Sequence, residues 1–137
     1  SREGVTKMDV TAIPHAEGTF DWVICNHVLE HVPDDSAALR ELCRVLKPGG
    51  RAVLQTPFAK RLAATRENEP DVATPAARFE FYGQEDHVRL YGTDLFERIR
   101  ASGLELRMAE HSGWLKEADS AACGVNREEP FFLCVKQ

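Results

Sequence analysis

Apolar and polar positions along this chain follow two periods, and each change of period marks an element. Phe20-Asp21-Trp22-Val23-Ile24-Cys25 is short, rich in aromatic and β-branched residues and preceded by the turn-like Glu17-Gly18-Thr19, which predicts a buried strand. Pro33 disfavours helix at the residue before it, and Asp34-Asp35-Ser36 then offers cap oxygens, so a helix starts there. Leu39, Leu42, Cys43 and Leu46 form its apolar stripe, while Arg40, Glu41, Arg44 and Lys47 lie off it. Pro48-Gly49-Gly50 predicts an abrupt stop, and Arg51 to Thr56 a second strand ended by Pro57. Strand, helix and strand make one right-handed crossover with a parallel pair, the unit of an α/β fold. Residues 58–91 change character, with Lys60, Arg61, Arg66, Pro70, Pro75 and then the aromatic Phe79-Glu80-Phe81-Tyr82, and predict an irregular insertion with a helical turn or two. Gly92-Thr93-Asp94 should cap a helix that buries Leu95, Phe96 and Ile99 and ends at a left-handed Gly103. Leu104, Leu106 and Met108 alternate with polar or small residues, and Phe131 to Val135 is a compact apolar run. Both predict strands, joined through residues 112–130 as antiparallel neighbours at the sheet edge.

Composition narrows the class. The 137 residues suffice for one domain with a real core, and 43% hydrophobic with 28% charged residues is ordinary for a globular protein. No apolar run approaches the roughly 20 residues that span a bilayer, and Ser1-Arg2-Glu3-Gly4 lacks a signal-peptide pattern, although a processed or truncated start would erase one; the expected location is the cytoplasm. A net charge of -5 without a basic block argues against nucleic acid and for a small-molecule partner. Cys25, Cys43, Cys123 and Cys134 are far apart and mostly in apolar contexts, as expected of buried reduced thiols.

Candidate chemistry begins with His27-Val28-Leu29-Glu30-His31, an H-x-x-E-H. On a helix this spacing sets two imidazoles on one face around a zinc ion with the glutamate as base, and a metal hydrolase is one reading. The strand ending near Cys25 and Pro33 just beyond His31 leave room for barely one turn, which argues against it. What remains is a segment at the carboxyl end of a parallel strand, where open α/β sheets bind ligands. His87, in Gln84-Glu85-Asp86-His87-Val88-Arg89-Leu90-Tyr91, closes the insertion and is a candidate base, because imidazole titrates near neutral pH. A structural His87, hydrogen-bonded to backbone, is the competing reading.

The succession Asp9-Val10-Thr11-Ala12-Ile13-Pro14, Gly18 to Cys25, Val28-Leu29-Glu30-His31-Val32, Leu39-Arg40-Glu41-Leu42, Arg44 to Gly50 and Leu54-Gln55-Thr56-Pro57 resembles the class I, Rossmann-like S-adenosylmethionine-dependent methyltransferases of type 11. The resemblance covers residues 5–57 nearly continuously, and Tyr91 to Leu95 and Ala101 to Leu104 resemble the family's next helix and strand. It implies a partial Rossmann-like sheet, strands 3 to 7 of the order 3-2-1-4-5-7-6, with flanking helices and an antiparallel C-terminal pair. Residues 1–137 would be the C-terminal part of one methyltransferase domain, with 58–91 as its substrate-facing lid.

The implied activity is methyl transfer from S-adenosylmethionine to an oxygen, nitrogen or carbon nucleophile of a small molecule, leaving S-adenosylhomocysteine. By resemblance Asp9 accepts from the adenine amino group, the Val10 amide meets a ring nitrogen, the Asn26 carbonyl meets the methionine amino group, and His27 lies beside the cofactor. Asp9 as a turn cap and a purely structural Asn26 are the competing readings. His31 and His87 are the catalytic candidates, His31 at the active-site mouth or simply supporting the following helix. Some quinone-biosynthesis O-methyltransferases resemble this segment with a Glu-x-x-Glu-His that can hold a divalent ion; here His27 replaces the first carboxylate, and no metal ligand is assigned.

The family's glycine-rich loop after its first strand and the acid ending its second are not found in this sequence, whose first segment, Val5 to Pro14, corresponds by resemblance to the third strand and the loop after it. Three expectations follow. The 137-residue chain alone binds S-adenosylmethionine weakly or not at all; the flank of the fourth-strand equivalent is open to a second copy or a strand-exchanged dimer; and the alternative to a catalyst is a non-catalytic remnant or interaction domain.

Overall fold

The computed structural model describes residues 4–109 and 130–137. The connection expected over 112–129, and Cys123 within it, lie outside the described residues. Strand β1 (Phe20–Asn26) leads through a 3-10 turn at Leu29–His31 to helix α1 (Asp35–Val45) and strand β2 (Leu46–Gln55). The insertion carries β3 (Arg66–Glu67), α2 (Pro75–Tyr82) and β4 (Arg89–Leu90), and then come α3 (Leu95–Ala101), β5 (Leu104–Ala109) and β6 (Phe131–Lys136). The main sheet runs β1-β2-β6-β5, its first pair parallel and the others antiparallel, while β3 and β4 make a small antiparallel pair. This is the α/β arrangement expected, with the 4-5-7-6 part of the implied strand order.

Asp34 starts α1 by accepting a hydrogen bond from the Ala37 amide (2.8 Å). Of the predicted stripe, Leu39, Leu42 and Cys43 lie on α1, whereas Leu46, expected on the helix, opens β2; all four are buried, against Ala52 and Leu54 of β2, Leu95 and Ile99 of α3, and Phe132 and Cys134 of β6. Gly103 ends α3 at φ +94°, the left-handed terminus expected.

Four expectations change. Pro48-Gly49-Gly50 does not separate helix from strand, because β2 begins at Leu46 and its register slips from Phe20↔Leu46 to Trp22↔Arg51. Residues 47–50 therefore bulge opposite Asp21, whose carboxylate takes the Lys47 ammonium (2.8 Å). The helix-capping role expected of Asp94 is also absent: no side-chain cap bond forms there, and its Oδ1 instead accepts from the Thr65 amide (2.7 Å) and hydroxyl (2.6 Å). Burial pulls the Asp94 carboxyl up, but these bonds and Arg98 outweigh it and hold it below its ordinary value.

β1 is less buried than its composition predicts. It is a sheet edge, with no strand on its outer side among the described residues, and Ile24 is 70% and Trp22 50% exposed. Apolar content marks a strand, but its neighbours decide how much of it is covered. The segment expected as the third strand and the loop after it, Val5 to Pro14, forms no strand, because with no ladder beside it among the described residues its backbone groups find other partners. The Ile13 amide donates to Glu41 (2.8 Å), and Arg44 donates to the carbonyls of Ile13 (2.9 Å) and His15 (2.8 Å), which ties the segment to α1.

Candidate active site

β1 and β2 end together, with Asn26 opposite Gln55, and the His27 amide extends the ladder by donating to the Gln55 carbonyl (2.8 Å). His27 then adopts φ +52°, a left-handed conformation that costs a non-glycine residue on the order of 1 kcal/mol. The chain leaves the sheet sharply and closes one 3-10 turn, in which the His31 amide donates to the Val28 carbonyl (3.0 Å). His27 and His31 therefore do not share an α-helical face, and the H-x-x-E-H of a helical zinc hydrolase does not form.

The turn sends Glu30 into the interior, 1% exposed, where Oε2 accepts from the Thr56 hydroxyl (2.9 Å) just past the end of β2. No hydrogen bond reaches the buried Oε1, and His27 Nδ1 stands 3.4 Å from it. His31 faces the insertion, its Nδ1 3.3 Å from both the carbonyl and a carboxylate oxygen of Asp86. His87 is buried, and its Nδ1 donates to the Tyr82 carbonyl (2.9 Å) at the end of α2. The two rings meet edge to face with centroids 4.8 Å apart, and one ligand-capable atom from each of Glu30, His31 and His87 lies within 4.8 Å of the others.

Arg89 holds this arrangement. Its buried guanidinium donates to Glu67 (2.8 Å) and to the carbonyls of Leu29 (2.9 Å), Val32 and Pro33 (2.9 Å), in and just beyond the short turn; the Leu29 carbonyl also accepts from the Val32 amide (3.3 Å). Arg98 donates to Glu67 (2.7 Å) and Asp35 (3.0 Å), and the Tyr91 hydroxyl donates to Asp35 (2.9 Å). Burial raises the Tyr91 phenol far above its ordinary value, and Asp35 raises it further, so it stays a neutral phenol that donates to Asp35. Burial also pulls the Glu67 carboxyl up, but Arg98 and Arg89 outweigh it. The insertion's backbone joins the turn directly, the Val88 amide donating to the Glu30 carbonyl (2.8 Å).

The structure thus brings His31 and His87 together and sets His27 beside Glu30. Asp9 and Val10 sit on the segment before β1. Asp9 Oδ1 accepts from the Thr11 amide (2.8 Å) and hydroxyl (2.7 Å), the turn-cap role weighed as its alternative, and these bonds lower its carboxyl pKa. Sequence reasoning missed Thr56, Asp86 and Arg89; the signal for Arg89 was a lone charge within Val88-Arg89-Leu90-Tyr91, where alternation predicts a buried side chain.

Residues 1–54 match the family model described as a methyltransferase domain. A demethylmenaquinone methyltransferase of Shouchella clausii is 48% identical over 125 residues, which is 89% of this chain and 43% of that protein. A second, from Mycolicibacterium vanbaalenii, is 37% identical over 112 residues, 77% of this chain and 47% of that protein. The chain thus spans less than half the length of these two curated relatives. Among solved structures, a Thermotoga maritima protein described as an S-adenosylmethionine-dependent methyltransferase, possibly acting on histamine, superimposes with a TM-score of 0.59 at 17% identity, covering 96% of this chain and 63% of that one. At that identity the likeness shows the fold.

Proposed function

Because the chain has the class I methyltransferase fold and its residues 1–54 match a methyltransferase domain, we propose that it forms the acceptor side of an enzyme that transfers a methyl group from S-adenosylmethionine to a small-molecule nucleophile. The observation that carries this reading is the junction where the paired carboxyl ends of β1 and β2 meet the Glu30-His31 turn beneath the lid histidine His87. Ligands of open α/β sheets bind at this end of the strands.

The residues present fit one flank of the methyl donor. Asp9 is exposed and keeps its charge well below neutral pH, which suits an acceptor for the adenine amino group; Val10 follows it, and Asn26 and His27 close the strand end that would face the methionine part. When bound, the sulfonium supplies the electrophilic methyl group. The work of this chain's residues is to hold the nucleophile in line with it and exclude water, which can supply much of the acceleration. His31, partly exposed at the mouth, and His87 behind it are the groups that can take the proton of a hydroxyl or amine acceptor. Both relatives above are named for demethylmenaquinone, which puts an aromatic ring carbon or ring oxygen first among acceptors to test.

The product of the complete reading frame, beside the 137-residue chain, is incubated with methyl-labelled S-adenosylmethionine and a panel of hydroquinones, phenols and amines, and S-adenosylhomocysteine binding is followed by calorimetry. Label transfer and micromolar binding by the complete product, with weaker binding by the shorter chain, are expected. Neither transfer nor binding by the complete product would overturn the proposal in favour of a non-catalytic domain. Sedimentation of the same samples tests for a second copy at the open edge of β1.

A further inference from the structure

The Glu30, His31 and His87 side chains carry a feature that methyl transfer alone does not require. Glu30 is 1% exposed, and its buried Oε1 receives no hydrogen bond; His27 Nδ1, on a half-exposed ring, stands 3.4 Å from it. A buried carboxylate oxygen left in this way is costly unless a cation completes it. The same three side chains converge, with one ligand-capable atom of each within 4.8 Å of the others.

Their outer partners are those that metal ligands use. His87 Nδ1 faces the Tyr82 carbonyl, which can only accept; the ring proton therefore sits on Nδ1 and the Nε2 lone pair is free to bind an ion. His31 Nδ1 faces the carbonyl and carboxylate of Asp86, which favours the same tautomer. Glu30 Oε2 is oriented by the Thr56 hydroxyl. Each ligand thus has a group that fixes its direction, an arrangement typical of metal-binding histidines and carboxylates.

We propose that Glu30, His31 and His87 bind one divalent transition-metal ion of the zinc class. Two imidazoles and one carboxylate suit such an ion, whereas magnesium and calcium prefer all-oxygen sets. An ion bonded at about 2.1 Å draws tetrahedral ligands to about 3.4 Å from one another, so binding closes the cluster by about an ångström and ties the lid residue His87 to the strand-end turn. The ligand set differs from the helical H-x-x-E-H arrangement: Glu30 is itself a ligand, His27 is not, and His87 comes from the insertion. Three protein ligands leave a position open for water or an acceptor oxygen, whose acidity the ion would raise. With the ion bound, its ligand histidines have no lone pair left for the acceptor's proton, which passes to solvent instead. This consequence for methyl transfer rests on the proposed function; the binding of the ion does not.

The test uses the 137-residue chain, freed of metal with a chelator and titrated with Co2+. Visible d–d absorption should saturate at one ion per chain, be bleached by Zn2+ and be unaffected by excess Mg2+. Glu30→Gln and His87→Ala should each weaken Co2+ binding at least 10-fold, and Thr56→Val about 10-fold, while His15→Ala leaves it unchanged. Wild-type protein that takes up no Co2+ at one equivalent, a folded His87→Ala that binds as well as wild type, or displacement by Mg2+ would overturn the proposal. Should either ligand variant fail to fold, Zn2+ titration of the wild type followed by NMR decides the matter: the His31 and His87 imidazole resonances must shift while that of His15 does not. Co2+ binding as expected, with no methyl transfer by the product of the complete reading frame, would count against the proposed function and leave the site standing.

Discussion

Replacing Arg89 with methionine tests what holds the candidate site together. The guanidinium is 3% exposed and spends its donors on Glu67 and on the carbonyls of Leu29, Val32 and Pro33. Methionine keeps much of the volume and removes every donor. Each carbonyl left buried without a partner costs about 1–3 kcal/mol, and breaking a buried ion pair costs about 3–5 kcal/mol. These penalties overlap, because the turn can relax toward water and Arg98 still pairs with Glu67 and Asp35 (2.7 and 3.0 Å). A net loss of about 4 kcal/mol is expected, against a total stability on the order of 10 kcal/mol for a chain of this size. With a urea m-value of about 2 kcal/mol/M, the midpoint falls by about 2 M, measurable by circular dichroism. Arg89→Lys should lie between, since one ammonium cannot span Glu67 and three carbonyls. Arg98→Met, at a side chain 23% exposed, should cost about half as much as Arg89→Met. A midpoint shift below about 0.5 M for Arg89→Met, with an unchanged m-value, would refute the assignment of Arg89 as the clamp.

Three further outcomes are expected. Hydrogen bonding to Arg44 holds the Glu41 carboxyl at about 2, below its ordinary 4.5, so its grip on residues 13–15 is complete above pH 4.5 and lost as pH falls through 2; exchange of the Ile13 amide should quicken over that range, and should lose this pH dependence in Glu41→Gln. A Cβ at Gly92 would lie 2.6 Å from the Leu62 carbonyl oxygen and 2.8 Å from the Ala64 carbonyl carbon, both backbone, so Gly92→Ala should cost about 1–3 kcal/mol and lower the Tm by about 3–10 °C in a thermal melt. Burial pushes the Cys25 and Cys134 thiols up to about 12, so in a Cys123→Ser background neither should react with a thiol reagent at pH 8 until urea unfolds the chain; mass spectrometry showing rapid labelling of either in the folded protein would contradict their burial.

The sequence by itself determined the elements of the main sheet and the helices packed on it. A stripe such as Leu39, Leu42 and Cys43 can be buried on only one face of a helix, and the apolar runs of β1, β2 and β6 fit a pleated ladder whatever surrounds them, so local pattern and global fold agree there. The sequence also marked both catalytic candidates, because a histidine at a strand end or within an apolar run is conspicuous. It did not determine what those histidines touch. The left-handed turn at His27 that sends Glu30 inward, the pairing of His31 with a residue 56 positions away, and the capping of three turn carbonyls by Arg89 depend on where the insertion comes to rest. The exposure of β1 and the bulge over residues 47–50 were decided in the same way, by which neighbours are present. Periodicity records only which face of an element avoids water. A buried polar group must find its partner wherever the chain returns, and that choice is made only once the fold has closed.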